Sequence, residues 1–191
     1  MKTRIPITFL AGVVMLMAPV IAAASQPDAA ALTILHTSDL HGAVLPFNDY
    51  ANRPSTRGSL AQVATMVEEI RTEAGHPVLL FDSGDTLQGS PFEQFVHVRW
   101  NEPSPTIDAM NRIGYDAMAV GNHEFNFGLA VLERAEAQAD FPFLSANTVR
   151  EGTDEPAFQP YLVIEAGTLK IGVLGLTTPN VPGWEKPENY A

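Results

Sequence analysis

Cysteine is absent from the 191 residues, which excludes disulfides and a soft, thiolate-ligated metal site. Positive charge is scarce: 11 Lys and Arg stand against 22 Asp and Glu, a formal net charge of −11. Such a surface repels a nucleic-acid backbone, so no nucleic-acid polymer is expected as a partner. No apolar run reaches the ~20 residues that a membrane-spanning helix needs. The longest, Ile5 to Val20, follows Lys2 and Arg4 and leads into Ala22-Ala23-Ala24. That is the pattern of a secretory signal, here residues 1–24, cut after Ala24. Its removal takes two basic residues and no acid, moving the charge from −11 to −13. The expectation is a periplasmic or secreted domain, residues 25–191, without a stable membrane anchor and long enough for a real core.

The remaining chain alternates short apolar runs with helical periodicity. Leu32 to Thr37 reads as a buried strand that ends in Ser38-Asp39-Leu40-His41-Gly42. From Gly58 to Glu73, Leu60, Val63, Val67 and Ile70 recur at helical spacing, and Gly75-His76-Pro77 stops the helix. Pro77 to Phe81 predicts a second strand, running into Asp82-Ser83-Gly84-Asp85. A helix from Pro105, with Ile107, Met110 and Ile113 on one face, leads to Tyr115–Val120 and then Gly121-Asn122-His123-Glu124. A helix over Leu129–Gln138, a fourth strand over Phe141–Ala146, and a hairpin of Tyr161–Glu165 with Leu169–Leu174 complete the pattern. This order predicts an α/β layered domain with an early parallel sheet. In such sheets ligands bind beyond the carboxyl ends of the strands, where all three polar clusters fall.

Those clusters supply two carboxylates, an amide and two imidazoles. Oxygen and imidazole donors suit zinc, manganese or a similar divalent first-row cation. The spacing of Asp39 and His41 sends both side chains to one side of an extended segment. Each residue alone has a plainer role, because Asp and Asn at strand ends commonly make turns. Three clusters in one order carry more weight than any single motif.

The segments LTILHTSDLHG, FDSGDTLQGSP and YDAMAVGNHEFNFG resemble the calcineurin-like metallophosphoesterases, specifically the bacterial group of 5′-nucleotidases and 2′,3′-cyclic-nucleotide phosphodiesterases. FPFLSANT and GLTTPNVPGWE are similar to that group as well. The resemblance implies a metallophosphoesterase-type sandwich, nucleotide substrates and two divalent metal ions. It also implies roles: Asp39 and His41 on the first metal, Asp85 bridging both, Asn122 on the second metal and at the substrate, and His123 acting catalytically at the leaving group. Two such cations about 3.5–4 Å apart clamp the phosphoryl oxygens and lower the pKa of a bound water. His36 reads as a packed or supporting residue, His76 and His97 as exposed structural positions, Glu124 as a support of the metal site or a partner of the loop backbone, and Met110 and Met118 as core.

Two departures bear on this reading. The family completes its site with downstream histidines, and none follows His123 here. The expectation is therefore the N-terminal part of a longer enzyme, with a sandwich incomplete at the C-terminus. A non-catalytic metal- or nucleotide-binding module is the alternative, and a thiosulfate-ester hydrolase on the same scaffold is the enzymatic rival. Second, Asn126 stands where related 5′-nucleotidases often carry Asp to orient the histidine. In that feature, and in Gly84 to Pro91, the chain resembles the cyclic-phosphodiesterase branch more closely.

Overall fold

A computed structural model describes residues 30–55 and 58–191. The secretory-signal segment lies outside the described residues. The central sheet is built from β1 (Thr33–Thr37), β4 (Val78–Asp82), β5 (Ala117–Ala119) and β6 (Phe143–Leu144), which lie side by side in that order. All three pairings are parallel, with Thr37 opposite Asp82 and Asp82 opposite Met118. Parallel pairing aligns the carboxyl ends of the strands, so the three polar clusters emerge along one edge.

The helical crossovers follow the apolar spacing. Helix α1 (Leu60–Glu73) buries Leu60 and Val67, and α3 (Pro105–Ile113) buries Ile107 and Met110. Helix α3 begins where the Ser104 hydroxyl accepts the Ile107 N–H and Pro105 fixes the first turn. It ends at Gly114, whose φ of 77° opens the turn into β5. Helix α4 (Leu129–Gln138) adds Leu132 and Ala135. These side chains meet Leu80, Met118, Val120 and Phe143 in one apolar cluster, so the core positions of Met110 and Met118 are confirmed.

Several features differ from the sequence expectation. The long loop after β1 contains a small antiparallel pair, β2 (Phe47–Asn48) and β3 (Arg53–Pro54). A short helix, α2 (Pro91–Gln94), continues into a π-helical segment, Phe95–Trp100. The fourth strand is shorter than expected because Ser145 and Ala146 direct their N–H groups to Gln159 and Gly175 instead of to β5. The hairpin of β7 (Tyr161–Ala166) and β8 (Leu169–Leu174) forms as expected, with its own two-stranded sheet. Helix α5 (Val181–Trp184) and a 3-10 turn at Pro187–Asn189 close the described chain.

Candidate metal centre and its surroundings

Pairing between β1 and β4 does not stop at the strand ends. Ser83 N–H donates to Thr37, and Asp39, His41 and Gly42 N–H donate to the carbonyls of Gly84, Asp85 and Thr86 at 2.9–3.0 Å. Two loops thus run side by side out of the sheet. Asp39, His41 and Asp85 take φ of 53°, 47° and 60°, the left-handed region that costs a non-glycine residue about 1–2 kcal/mol. Three of the metal ligands expected from sequence are thereby among the five non-glycine residues with positive φ in the described chain. Strain concentrated in this way points to a site.

The third junction is bolted onto the second. Glu124 is fully buried, and its carboxylate accepts the N–H groups of Asp85, Thr86, Leu87 and Gly121 at 2.6–3.2 Å. It therefore bonds the loop backbone that presents Asp85. Burial pushes its carboxyl upward, while the amide donors pull the other way. Asp85 Oδ1 in turn accepts the His123 N–H at 2.9 Å. Glycine is required twice here. A Cβ on Gly121 would lie 2.4 Å from Asp85 Oδ1, and one on Gly84 would lie 2.4 Å from the Gly121 nitrogen.

His41 Nδ1–H donates to the Gln88 carbonyl at 2.6 Å, which leaves Nε2 as its second nitrogen, 3.9 Å from Asp39 Oδ1. The rings of His41 and His123 meet edge to face at 5.2 Å. Asn122 is half-buried and precedes a 3-10 turn, His123–Phe125. Asp39 and His41 thus lie together, Asp85 joins His123 through the backbone, and His123 approaches His41. Among the described residues, no three His, Asp or Glu side chains converge closely enough to enclose a cation by themselves. What does fit a hard or borderline divalent ion is the donor chemistry of two carboxylates, an amide and an imidazole on rigid, strained loops.

Beneath the loops, Asp82 is 3% exposed. Burial raises its pKa to about 6, with the Asp39 charge adding to the effect and bonds from Thr37, Gly84 and Thr86 opposing it. A cavity of about 750 Å³ beside the site is lined by Asp39, His41, Phe47, Tyr50, Ser90 and Phe92 among others.

His36, expected to be packed or supporting, is exposed and shares a 2.6 Å hydrogen bond with the Ser83 hydroxyl in the loop after β4, so it is not packed, and only the supporting role is compatible with its place. His76 is exposed, as expected. His97, expected at the surface, is only 5% exposed, with Nε2 2.8 Å from a Glu93 oxygen. That contact lacks hydrogen-bond alignment. The reason for its burial is the π-helical segment, which turns His97 inward against Phe127 with ring centroids 5.1 Å apart. Sequence reasoning also missed Glu185. His123 Nδ1 lies 2.6 Å from Asn126 Oδ1, and Asn126 Nδ2 donates to Glu185 Oε2. Glu185 lies in the GLTTPNVPGWE segment, whose resemblance to the family carried no role for it.

Residues 32–184 match the calcineurin-like phosphoesterase family. The chain is 35% identical over 167 residues to a 2′,3′-cyclic-nucleotide 2′-phosphodiesterase/3′-nucleotidase of Yersinia enterocolitica, a match covering 81% of this chain and 26% of that protein. It is 39% identical over 162 residues to protein UshA of Escherichia coli K12, covering 83% and 28%. The crystal structure of the calcineurin-like phosphoesterase YfkN from Bacillus subtilis superposes with a TM-score of 0.72 at 29% identity, over 80% of this chain and 50% of that one. The chain thus spans about a quarter of the length of the curated relatives it matches. On sequence and fold alike, it belongs to the calcineurin-like phosphoesterase family.

Proposed function

We propose that this chain carries part of the active site of an exported, metal-dependent phosphoesterase that hydrolyses nucleotide phosphate esters. The observation that carries the proposal is the strained, mutually braced trio of strand ends that presents Asp39, His41, Asp85, Asn122 and His123. Asp39 and His41 would hold one divalent cation, Asp85 would be shared between two, and Asn122 would serve the second. When bound, such cations supply Lewis-acid stabilisation of phosphoryl oxygens and an acidified water. Zinc or manganese suits these donors.

The chain's own residues then set orientation and proton handling. Glu124 fixes the Asp85 loop through four backbone bonds. The His41 ring is set by its Nδ1–H bond to Gln88, leaving Nε2 for a ligand. Asn122 and His123 contact the substrate, and His123 donates a proton to, or stabilises charge on, the departing oxygen. The substrates are nucleotides, with 2′,3′-cyclic and 3′-nucleotides favoured by the Asn126 feature and by the Gly84 to Pro91 segment. The apolar N-terminal run, with Lys2 and Arg4 before it, supports export.

Substrate profiling tests this reading. The metal-loaded, full-length protein should hydrolyse at least one of AMP, 3′-AMP and 2′,3′-cyclic AMP, and chelation should stop it. If all three remain intact in the presence of zinc or manganese, the phosphoesterase reading fails and the binding-module alternative takes its place.

A further inference from the structure

An asparagine beside a catalytic histidine has a defect that an aspartate lacks. Its side-chain oxygen and nitrogen are nearly isosteric, so nothing in its shape decides which one faces the ring. If the oxygen faces Nδ1, it accepts the Nδ1 proton and the ring can carry a second proton on Nε2, as an acid at the leaving group requires. If the amide turns over, Nδ1 must become the acceptor and the ring is confined to a single proton on Nε2, a far weaker acid.

In this chain the choice is made from 59 residues further along. Asn126 Oδ1 lies 2.6 Å from His123 Nδ1, while Asn126 Nδ2 donates to Glu185 Oε2. A carboxylate only accepts hydrogen bonds, so the Asn126 group that faces Glu185 has to be the NH2. The oxygen is thereby turned to His123. Glu185 is itself held: its Oε1 accepts the Lys186 N–H at 2.7 Å and the Asn189 side-chain N–H at 2.9 Å. Asn189 also donates to the Asn126 carbonyl at 3.3 Å. Burial acts to raise the Glu185 carboxyl, but the bonds from Lys186, Asn126 and Asn189 together draw it below its ordinary value.

We propose that Glu185 is a positioning residue of the phosphoesterase site, setting through Asn126 the tautomer of His123 and placing a negative charge at one remove from the ring. This inference rests on the function proposed above. It restores what Asn126 alone cannot supply, namely a directed acceptor backed by charge, and gives a role to the Trp184-Glu185-Lys186-Pro187-Glu188-Asn189 segment.

The bonding pattern makes Glu185→Gln a specific probe. Two donors meet Oε1 and one meets Oε2, so a glutamine settles with its oxygen toward Lys186 and Asn189 and its NH2 toward Asn126. Asn126 must then turn its oxygen to that glutamine and its NH2 to His123. A second change, Asn126→Asp, undoes this, because an aspartate accepts from both neighbours.

The experiment measures kcat and KM for 2′,3′-cyclic AMP, AMP and 3′-AMP in the metal-loaded, full-length protein. Alongside it, the ring 15N shifts of His123 are read in metal-free, 15N-histidine-labelled protein. Glu185→Gln should lower kcat about 10- to 100-fold, the usual effect of removing such a supporting partner, with KM little changed and the proton moved to Nε2. The double variant Asn126→Asp/Glu185→Gln should recover most of the lost kcat and return the proton to Nδ1. If Glu185→Gln keeps wild-type kcat and shifts, or if the double variant is no better than the single one, the inference is overturned. Should Glu185→Gln fold poorly, the double variant decides alone: near wild-type kcat and shifts support the inference, and impaired ones refute it. Wild-type protein that cleaves none of the three nucleotides would refute the proposed function instead, and the 15N shifts would still judge the role of Glu185.

Discussion

Replacing Asp82 by asparagine should stabilise the metal-free protein at neutral pH. The carboxyl sits at the end of β4, 3% exposed, where the Thr37 hydroxyl donates to one oxygen and the Gly84 N–H and Thr86 hydroxyl donate to the other. Burial outweighs these bonds and lifts the pKa from 3.8 to about 6. The folded chain therefore holds this proton more tightly than the unfolded chain. The contribution of Asp82 to stability is greatest below about pH 4, falls as pH rises through about 6, and stays low above that. The difference between 3.8 and about 6 corresponds to about 3 kcal/mol at neutral pH. An asparagine side chain in its place carries no charge at any pH, and its Oδ1 can accept from Gly84 and Thr86 while its NH2 donates to the Thr37 oxygen. In urea titrations with a chelator present, Asp82→Asn should gain up to about 3 kcal/mol over wild type near pH 7.5, and the gain should vanish near pH 4. Equal gaps at both pH values, or a less stable variant near neutrality, would refute the desolvation account of this residue.

Other consequences follow from the bracing of the strand ends. Gly121→Ala puts a methyl group 2.4 Å from Asp85 Oδ1. It should cost about 1–3 kcal/mol in denaturation and weaken manganese binding measured by calorimetry. Glu124→Gln leaves one oxygen and one NH2 facing four backbone N–H donors. At about 1–3 kcal/mol for each buried donor left unpaired, the thermal midpoint should fall sharply, whereas a substitution at exposed Glu133 should not move it. Glu93 is fully buried and accepts from the Thr106 N–H and hydroxyl and the Ser104 hydroxyl, so Glu93→Ala should destabilise the start of α3 by a similar amount. Amide exchange in that helix would register the loss.

Much of this was legible in the sequence because periodicity and site chemistry coincide in a parallel sheet. The strands were found from their apolar runs and the helices from Leu60, Val67, Ile107 and Met110. The polar clusters fell at strand ends, where topology collects them. The misses have definite causes. The π-helical turn that buries His97 depends on hydrogen bonds no local pattern announces. The left-handed backbone at Asp39, His41 and Asp85 is imposed by cross-loop pairing to Gly84, Asp85 and Thr86, a tertiary effect. Glu185 reaches Asn126 across 59 residues, and a lone glutamate in a Pro-rich loop reads as a solvated charge. Asn126 reads in the sequence only as a departure from Asp, because the carboxylate that directs it lies 59 residues away.

The most direct test of the central claim is metal binding and turnover in Asp85→Asn beside wild type. Full-length wild type should bind manganese or zinc and hydrolyse a nucleotide ester, and Asp85→Asn in it should lose both while keeping its fold by circular dichroism. Unchanged metal content and unchanged hydrolysis in the variant would contradict it.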